Sequence, residues 1–222
     1  MTDAERQSYF NAVNQMKRDV SSGQSLYDFY VSYIVPSRSP GAHFGASFGI
    51  SLRTYVPTIG LRYWDSTLDS YLPNPFDSVI FSSAFFGNGN GAVTTGPFAN
   101  CRTTSSLPLS RNYGQGGQLF TPAVVSTVLS ERNFNQLTFC VNPFYETEYR
   151  RSVEQLRHRV LRVPTVSECT NTRECGSKYL FCDRRQGSPH CVSKVVVGGN
   201  CIGFANTDIC YNSRCVNGVC LP

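Results

Sequence analysis

Imidazoles and thiols are the groups in this chain that could hold a metal or form a covalent staple. Its three histidines stand at His43, His158 and His190. No two share a helical turn, so no H-x3-H pair aims two imidazoles at one ion. Ten cysteines are present, and eight of them fall between Cys169 and Cys220 with the spacing C-x5-C-x6-C-x8-C-x9-C-x8-C-x4-C-x4-C. Zinc modules place thiolates two to four residues apart, and only the last two gaps approach that. Four disulfides in an oxidising compartment are the expected reading. Cys101 and Cys140 stand apart and are expected to pair with each other, with two buried thiols as the alternative. Asp65 and Asp69 flank the run after Trp64, a spacing open to paired carboxylates. No G-x-S-x-G, H-E-x-x-H, P-loop or EF-hand pattern is present.

Those groups must be positioned by a chain of 222 residues, long enough for one domain or two. Hydrophobic content of 41% and charged content of 16% argue for a folded protein. The net charge of +5 comes from scattered arginines rather than a basic stripe, so no nucleic-acid partner is expected. The densest basic stretch, 150–162, reads as the solvated face of a helix. No apolar run is long enough to span a membrane. Residues 1–20 carry no signal-peptide core, yet the cysteine usage implies an extracellular protein. The natural start is therefore expected upstream of Met1.

Thr2 with Glu5 fits a capping box, and Phe10, Val13, Met16 and Val20 give one apolar helical face, ended by Ser21-Ser22-Gly23. A short helix is expected over 27–34, stopped by Pro36 and Pro40. Residues 57–117 read mostly as loop, with tight turns at Gly87-Asn88-Gly89-Asn90-Gly91. Thr121-Pro122 caps a helix reaching about Ser130. A last helix is expected over 145–162, with Tyr149, Val153, Leu156, Val160 and Val163 as its apolar seam, terminated by Pro164.

The run LRYWDSTLDSYLPNPFDSVIFSSAFFGNGNGAVTTGPFANC resembles the tyrosinase family of type-3 copper oxidases. The resemblance rests on Tyr63-Trp64-Asp65, Thr67-Leu68-Asp69, Pro73-Asn74-Pro75, Gly87-Asn88-Gly89 and Gly96-Pro97-Phe98. It implies a helical core holding two coppers by six imidazoles, the oxidation of phenols to o-quinones, and a phenolic small molecule as substrate. It also implies that Trp64 fills the core while Asp65 and Asp69 fix turns and caps.

Gly41-Ala42-His43-Phe44-Gly45 is similar to the segment carrying the family's second histidine, so His43 occupies a metal-ligand position. The first histidine would fall at Tyr33 or Ile34. For the third, two alignments stand. Either Ser51-Leu52-Arg53 stands opposite a Trp-His-Arg motif, putting Leu52 in the ligand place, or about a dozen residues are missing after Phe48 and 50–53 match the helix end before Pro57. The second reading is preferred. For the second copper, either Arg157 and Leu161 fall on the ligand positions, or 145–162 follows a core segment that is absent.

The expectation is thus a fold that is mainly α with long loops, a partial tyrosinase-like helical core, plus a small disulfide-rich C-terminal module. Residues 1–164 form the tyrosinase-like part. Residues 165–222 form the module, similar to tails behind some nematode tyrosinase-like domains. One of six ligand positions is kept, no catalytic or cofactor-binding residue is assigned, and copper is implied by resemblance but not expected to bind. A non-catalytic member is expected. The alternatives are a secreted structural or binding protein of cuticle or extracellular matrix, with an unknown extracellular partner, or a fragment of an active copper oxidoreductase.

Overall fold

The computed structural model describes residues 2–37, 42–60, 62, 64–103, 105–113, 119–130 and 168–222. Helix α1 (Asp3–Arg18) begins on the expected capping box. Thr2 Oγ1 accepts from the Glu5 amide at 3.2 Å, and the Glu5 carboxylate accepts from the Thr2 amide at 2.7 Å. Asp3 and Glu5 in the first turn and Lys17 and Arg18 in the last suit the helix dipole. The buried face is Phe10, Ala12, Val13 and Met16. Val20 does not extend it. The helix stops at Asp19, and Val20 lies exposed in a two-residue hairpin of β1 (Val20–Ser21) and β2 (Gln24–Ser25). Ser22 and Gly23 both take positive φ, the turn that matches strand twist.

Helix α2 (Leu26–Ser37) runs past the expected stop at Pro36, which sits in the last described turn. Helix α3 (Ala42–Tyr55) is longer than its sequence suggests. Gly45 and Gly49 obscure the helical period, and packing decides the outcome. Leu52, fully buried, joins Ala12, Val13, Met16, Tyr30 and Ile59 in one apolar cluster built from all three helices. Tyr30 meets Phe48 edge to face at 5.5 Å and shares a 2.6 Å hydrogen bond with Ser51.

Beyond Pro57 the chain is largely irregular, as expected, but ordered by short 3-10 turns at Ser66–Leu68, Pro75–Asp77 and Val79–Phe81. Strands β3 (Asn90–Ala92) and β4 (Ser110–Asn112) pair antiparallel. The glycine-asparagine run is held by the Asn88 carboxamide. Its oxygen accepts from the amides of Thr94 and Thr95, and its nitrogen donates to the carbonyls of Asn90 and Ala92. A Cβ at Gly87 would lie 1.9 Å from the Thr95 carbonyl oxygen, and φ there is +78°, so glycine is required. Helix α4 (Pro122–Ser130) starts on the Thr121 cap, as expected, with the Val124 amide 3.3 Å from Thr121 Oγ1. The helix expected over 145–162 lies outside the described residues.

The eight tail cysteines form four disulfides: Cys169–Cys182, Cys175–Cys191, Cys201–Cys215 and Cys210–Cys220. Each half links its first cysteine to its third and its second to its fourth. Each half also ends in a hairpin, β5 (Leu180–Asp183) with β6 (His190–Ser193), and β7 (Arg214–Val216) with β8 (Val219–Leu221). Cys182 faces Cys191, and Cys215 faces Cys220, across the two ladders. The module is therefore two copies of one stapled hairpin, a repeat that the unequal cysteine gaps conceal. Among the described residues Cys101 is the free cysteine; its expected partner, Cys140, lies outside them.

Candidate functional site

The sequence-derived ligand position, His43, stands in the first turn of α3. Tyr33 and Ile34 lie on α2, the helix that packs beside it. The imidazole of His43 and all of His158 lie outside the described groups. His190 opens β6 in the module, remote in sequence from α3. Its ring lies 4.1 Å from that of Tyr71, and its Nδ1 is 3.0 Å from the Ser188 carbonyl oxygen. Leu52, one candidate for a ligand place, is closed in hydrocarbon. Among the described residues, two groups of three potential ligand atoms come within 4.8 Å of one another, Cys169/Cys175/Cys191 and Cys201/Cys210/Cys220. All six sulfurs are in disulfides, with no thiolate to offer a cation. Two open grooves, of about 550 and 330 Å³, run beside 174–180 and the start of α1, and neither is lined by an imidazole.

The carboxylates near Trp64 are structural in different ways. Asp65 caps the first 3-10 turn, accepting from the Thr67 amide at 3.1 Å and the Thr67 hydroxyl at 2.6 Å. Asp69 is 1% exposed. Its Oδ1 accepts from Ser78 Oγ at 2.7 Å, its Oδ2 accepts from Trp64 Nε1 at 2.5 Å, and Ser193 of the module donates a third bond. Burial raises its pKa, the Asp65 charge adds to that, and the three hydrogen bonds oppose it. Trp64 itself does not fill the core. It is 42% exposed and meets Phe81 edge to face at 5.8 Å, because its indole N–H is drawn to a carboxylate at the rim of the module. Ser193 had no signal in the sequence: its partner is more than a hundred residues away.

A second junction ties the module to α1. The Lys178 ammonium lies 2.5 Å from Asp3 Oδ2, and the Tyr179 hydroxyl donates to Asp3 Oδ1 at 2.9 Å. Arg6 donates to the same oxygen at 2.8 Å and stacks between the rings of Phe85 and Tyr179, 5.1 and 5.0 Å from their centres. Lys178 first, then Tyr179, hold the Asp3 pKa down at about 2. Among the described residues, no helix is long and apolar enough to cross a membrane.

No protein-family profile matches the chain. Individual relatives do. The tyrosinase-like protein tyr-3 of Caenorhabditis elegans is 24% identical over an alignment covering 100% of this chain and 46% of the relative. Tyrosinase-like protein 1 of Margaritifera margaritifera is 32% identical over 61% of this chain and 30% of its own length. A tyrosinase-like protein of Pinctada maxima is 30% identical over 60% of this chain and 33% of its own. The chain thus spans about half the length of the nematode relative and about a third of the molluscan ones. The nematode alignment runs over 323 residues against 222 here, so about 100 of its positions have no counterpart in this chain. With a helical core, the motif-bearing loop and a disulfide-rich C-terminal region all in place, the chain is similar to the nematode tyrosinase-like protein over its whole length and to the molluscan ones over about three fifths of it.

Proposed function

We propose that this chain is a non-catalytic, extracellular member of the tyrosinase-like proteins. The observation that carries the reading is the histidine count: three in the whole chain, at His43, His158 and His190. The family's copper pair takes six imidazoles, and His43 alone falls on a ligand position. His190 is engaged in the module with Tyr71 and Ser188. Apolar packing around Leu52 supports the alignment in which the Trp-His-Arg segment is missing, since α3 ends at Tyr55 immediately before the Pro57 turn. The residues present do not fit a copper pair, and no step of phenol oxidation is derived through one. Four disulfides support an oxidising, extracellular setting. In this reading residues 1–164 are the reduced tyrosinase-like unit, and residues 165–222 the stapled module of a structural or binding protein of the matrix.

A second reading is a partial form of a copper oxidoreductase acting on a phenolic small molecule. The roughly 100 alignment positions absent here relative to the nematode protein favour it. Copper loading followed by metal analysis tests the main reading. Fewer than one copper per molecule and no catechol oxidation above free copper are expected. Two tightly held coppers, or turnover above that background, would sink it.

A further inference from the structure

The motif run that names the family carries no ligand, yet several of its groups are buried. Asp69, Leu72, Ser78 and Val79 are each at most 5% exposed. Their cover comes from the cysteine module. Val195 is bridged antiparallel to Ser78 on one side and parallel to Cys210 on the other, so the motif loop supplies an edge to the module's own ladder. The Val79 amide donates to the Lys194 carbonyl at 2.7 Å, and the Val196 amide to the Asp77 carbonyl at 2.8 Å. Asp77 Oδ2 accepts from the Asn200 amide at 2.8 Å. Leu72 sits in one apolar cluster with Val192, Val195, Cys201 and Phe204.

We propose that the run 64–82 is a docking surface whose partner is the stapled module of the same chain, and that the run takes its shape from that partner. The physical reason is the run's poverty of internal order. Its regular structure is three single 3-10 turns, which hold few residues and make weaker hydrogen bonds than an α-helix. Such a segment cannot offset its ordering entropy alone. The module supplies what it lacks: a ladder partner, an apolar floor for Leu72 and a donor for the buried Asp69. The fit is close at one point. A Cβ at Gly199 would lie 2.7 Å from Asp77 Cβ and 2.6 Å from Val195 Cγ1, so this glycine is what lets the two surfaces meet. The proposal stands apart from the copper reading, because none of these groups is a ligand position.

The test uses the full chain and its single tryptophan, Trp64, which reports the junction. Gly199→Val is made, the four disulfides are confirmed by mass spectrometry, and amide exchange of 64–82 is compared with wild type. At least tenfold faster exchange in that run and greater acrylamide quenching of Trp64, with α1 unchanged, are expected. Unchanged exchange with all four disulfides formed would overturn the proposal. If the variant fails to form them, the wild-type chain is reduced without denaturant, each disulfide taking two electrons and two protons from an added dithiol, and alkylated. Retained protection of 64–82 then refutes the docking, and its loss supports it.

Discussion

Trp64 Nε1 donates a 2.5 Å hydrogen bond to Oδ2 of Asp69, five residues on, while the other carboxylate oxygen takes Ser78 Oγ at 2.7 Å. A half-exposed indole thus completes the solvation of a carboxylate that the module has removed from water. Trp64→Phe deletes that donor and keeps the edge contact with Phe81. A hydrogen bond to a charged group contributes about 1.5–3 kcal/mol. We predict a loss at the lower end of that range by chemical denaturation, because Trp64 is partly solvated. No change in midpoint would mean that water replaces the indole without cost.

Asp69 separates charge from shape. Asp69→Ala leaves the Trp64, Ser78 and Ser193 donors facing a void, and each unsatisfied buried group costs about 1–3 kcal/mol. Asp69→Asn keeps the shape and one acceptor oxygen. The alanine variant is expected to be much the less stable of the two, and equal loss in both would place the whole effect on the ionised form.

The same residue sets a pH dependence with a definite sign. Burial, with the Asp65 charge adding, lifts Asp69 above its ordinary value of 3.8, against the hydrogen bonds from Ser193, Ser78 and Trp64. A carboxylate whose pKa is higher in the folded state favours folding when protonated. Its contribution is complete below the unfolded value and is lost as pH rises through the folded one. Asp3 has the opposite sign: Lys178 and Tyr179 hold it at about 2, so its contribution is present above the unfolded value and lost as pH falls through about 2. We predict that the difference in stability between wild type and Asp69→Asn shifts against wild type as pH rises above 4, whereas the difference from Asp3→Asn shrinks below it. Parallel curves for all three proteins would contradict both assignments.

How far the sequence reached depends on the range of the interaction. The capping box of α1, the Thr121 cap of α4 and the stapling of the tail are set by neighbours within a turn or by cysteine number, and each was legible. Helix α3 was not, because its two glycines dilute the period and Leu52 gains its place from α1 and α2. Trp64 was misplaced for the same reason. Its position follows from Asp69, whose own burial depends on Ser193, and no local pattern encodes a partner more than a hundred residues away. For the site, His43 could be placed on a motif, but a ligand set is a property of several helices at once.

The module offers a graded test of its two halves. Cys169–Cys182 closes a separation of 13 residues and Cys210–Cys220 one of 10. Removing a native disulfide from a small module costs about 2–5 kcal/mol, and the loop-length difference is too small to rank these two. Position does rank them. Cys210 and Cys220 belong to the apolar cluster that holds Leu72, so replacing that pair with serine is predicted to loosen 64–82 as well as the module. Amide exchange reads both regions at once, and loosening confined to 201–222 would show that the cluster does not transmit the loss.

Leu52 tests the two alignments of the missing ligand. If the chain reads straight on from Phe48, Leu52 stands where a ligand histidine belongs, and Leu52→His returns an imidazole to its place. If the segment is absent, the same substitution puts a polar ring into hydrocarbon beside Ala12, Val13, Met16, Tyr30 and Ile59. Burial disfavours the charged form, and an imidazole N–H without a partner there costs about 1–3 kcal/mol on top of the lost apolar packing. We predict a destabilised protein, by about 3 kcal/mol in all, whose copper uptake is no greater than that of wild type. Near-wild-type stability together with a newly bound copper would favour the straight alignment, because metal binding would then repay the buried imidazole. Stability and metal content are measured on the same preparation, since a variant that loses its helical core also loses any meaning in its failure to bind.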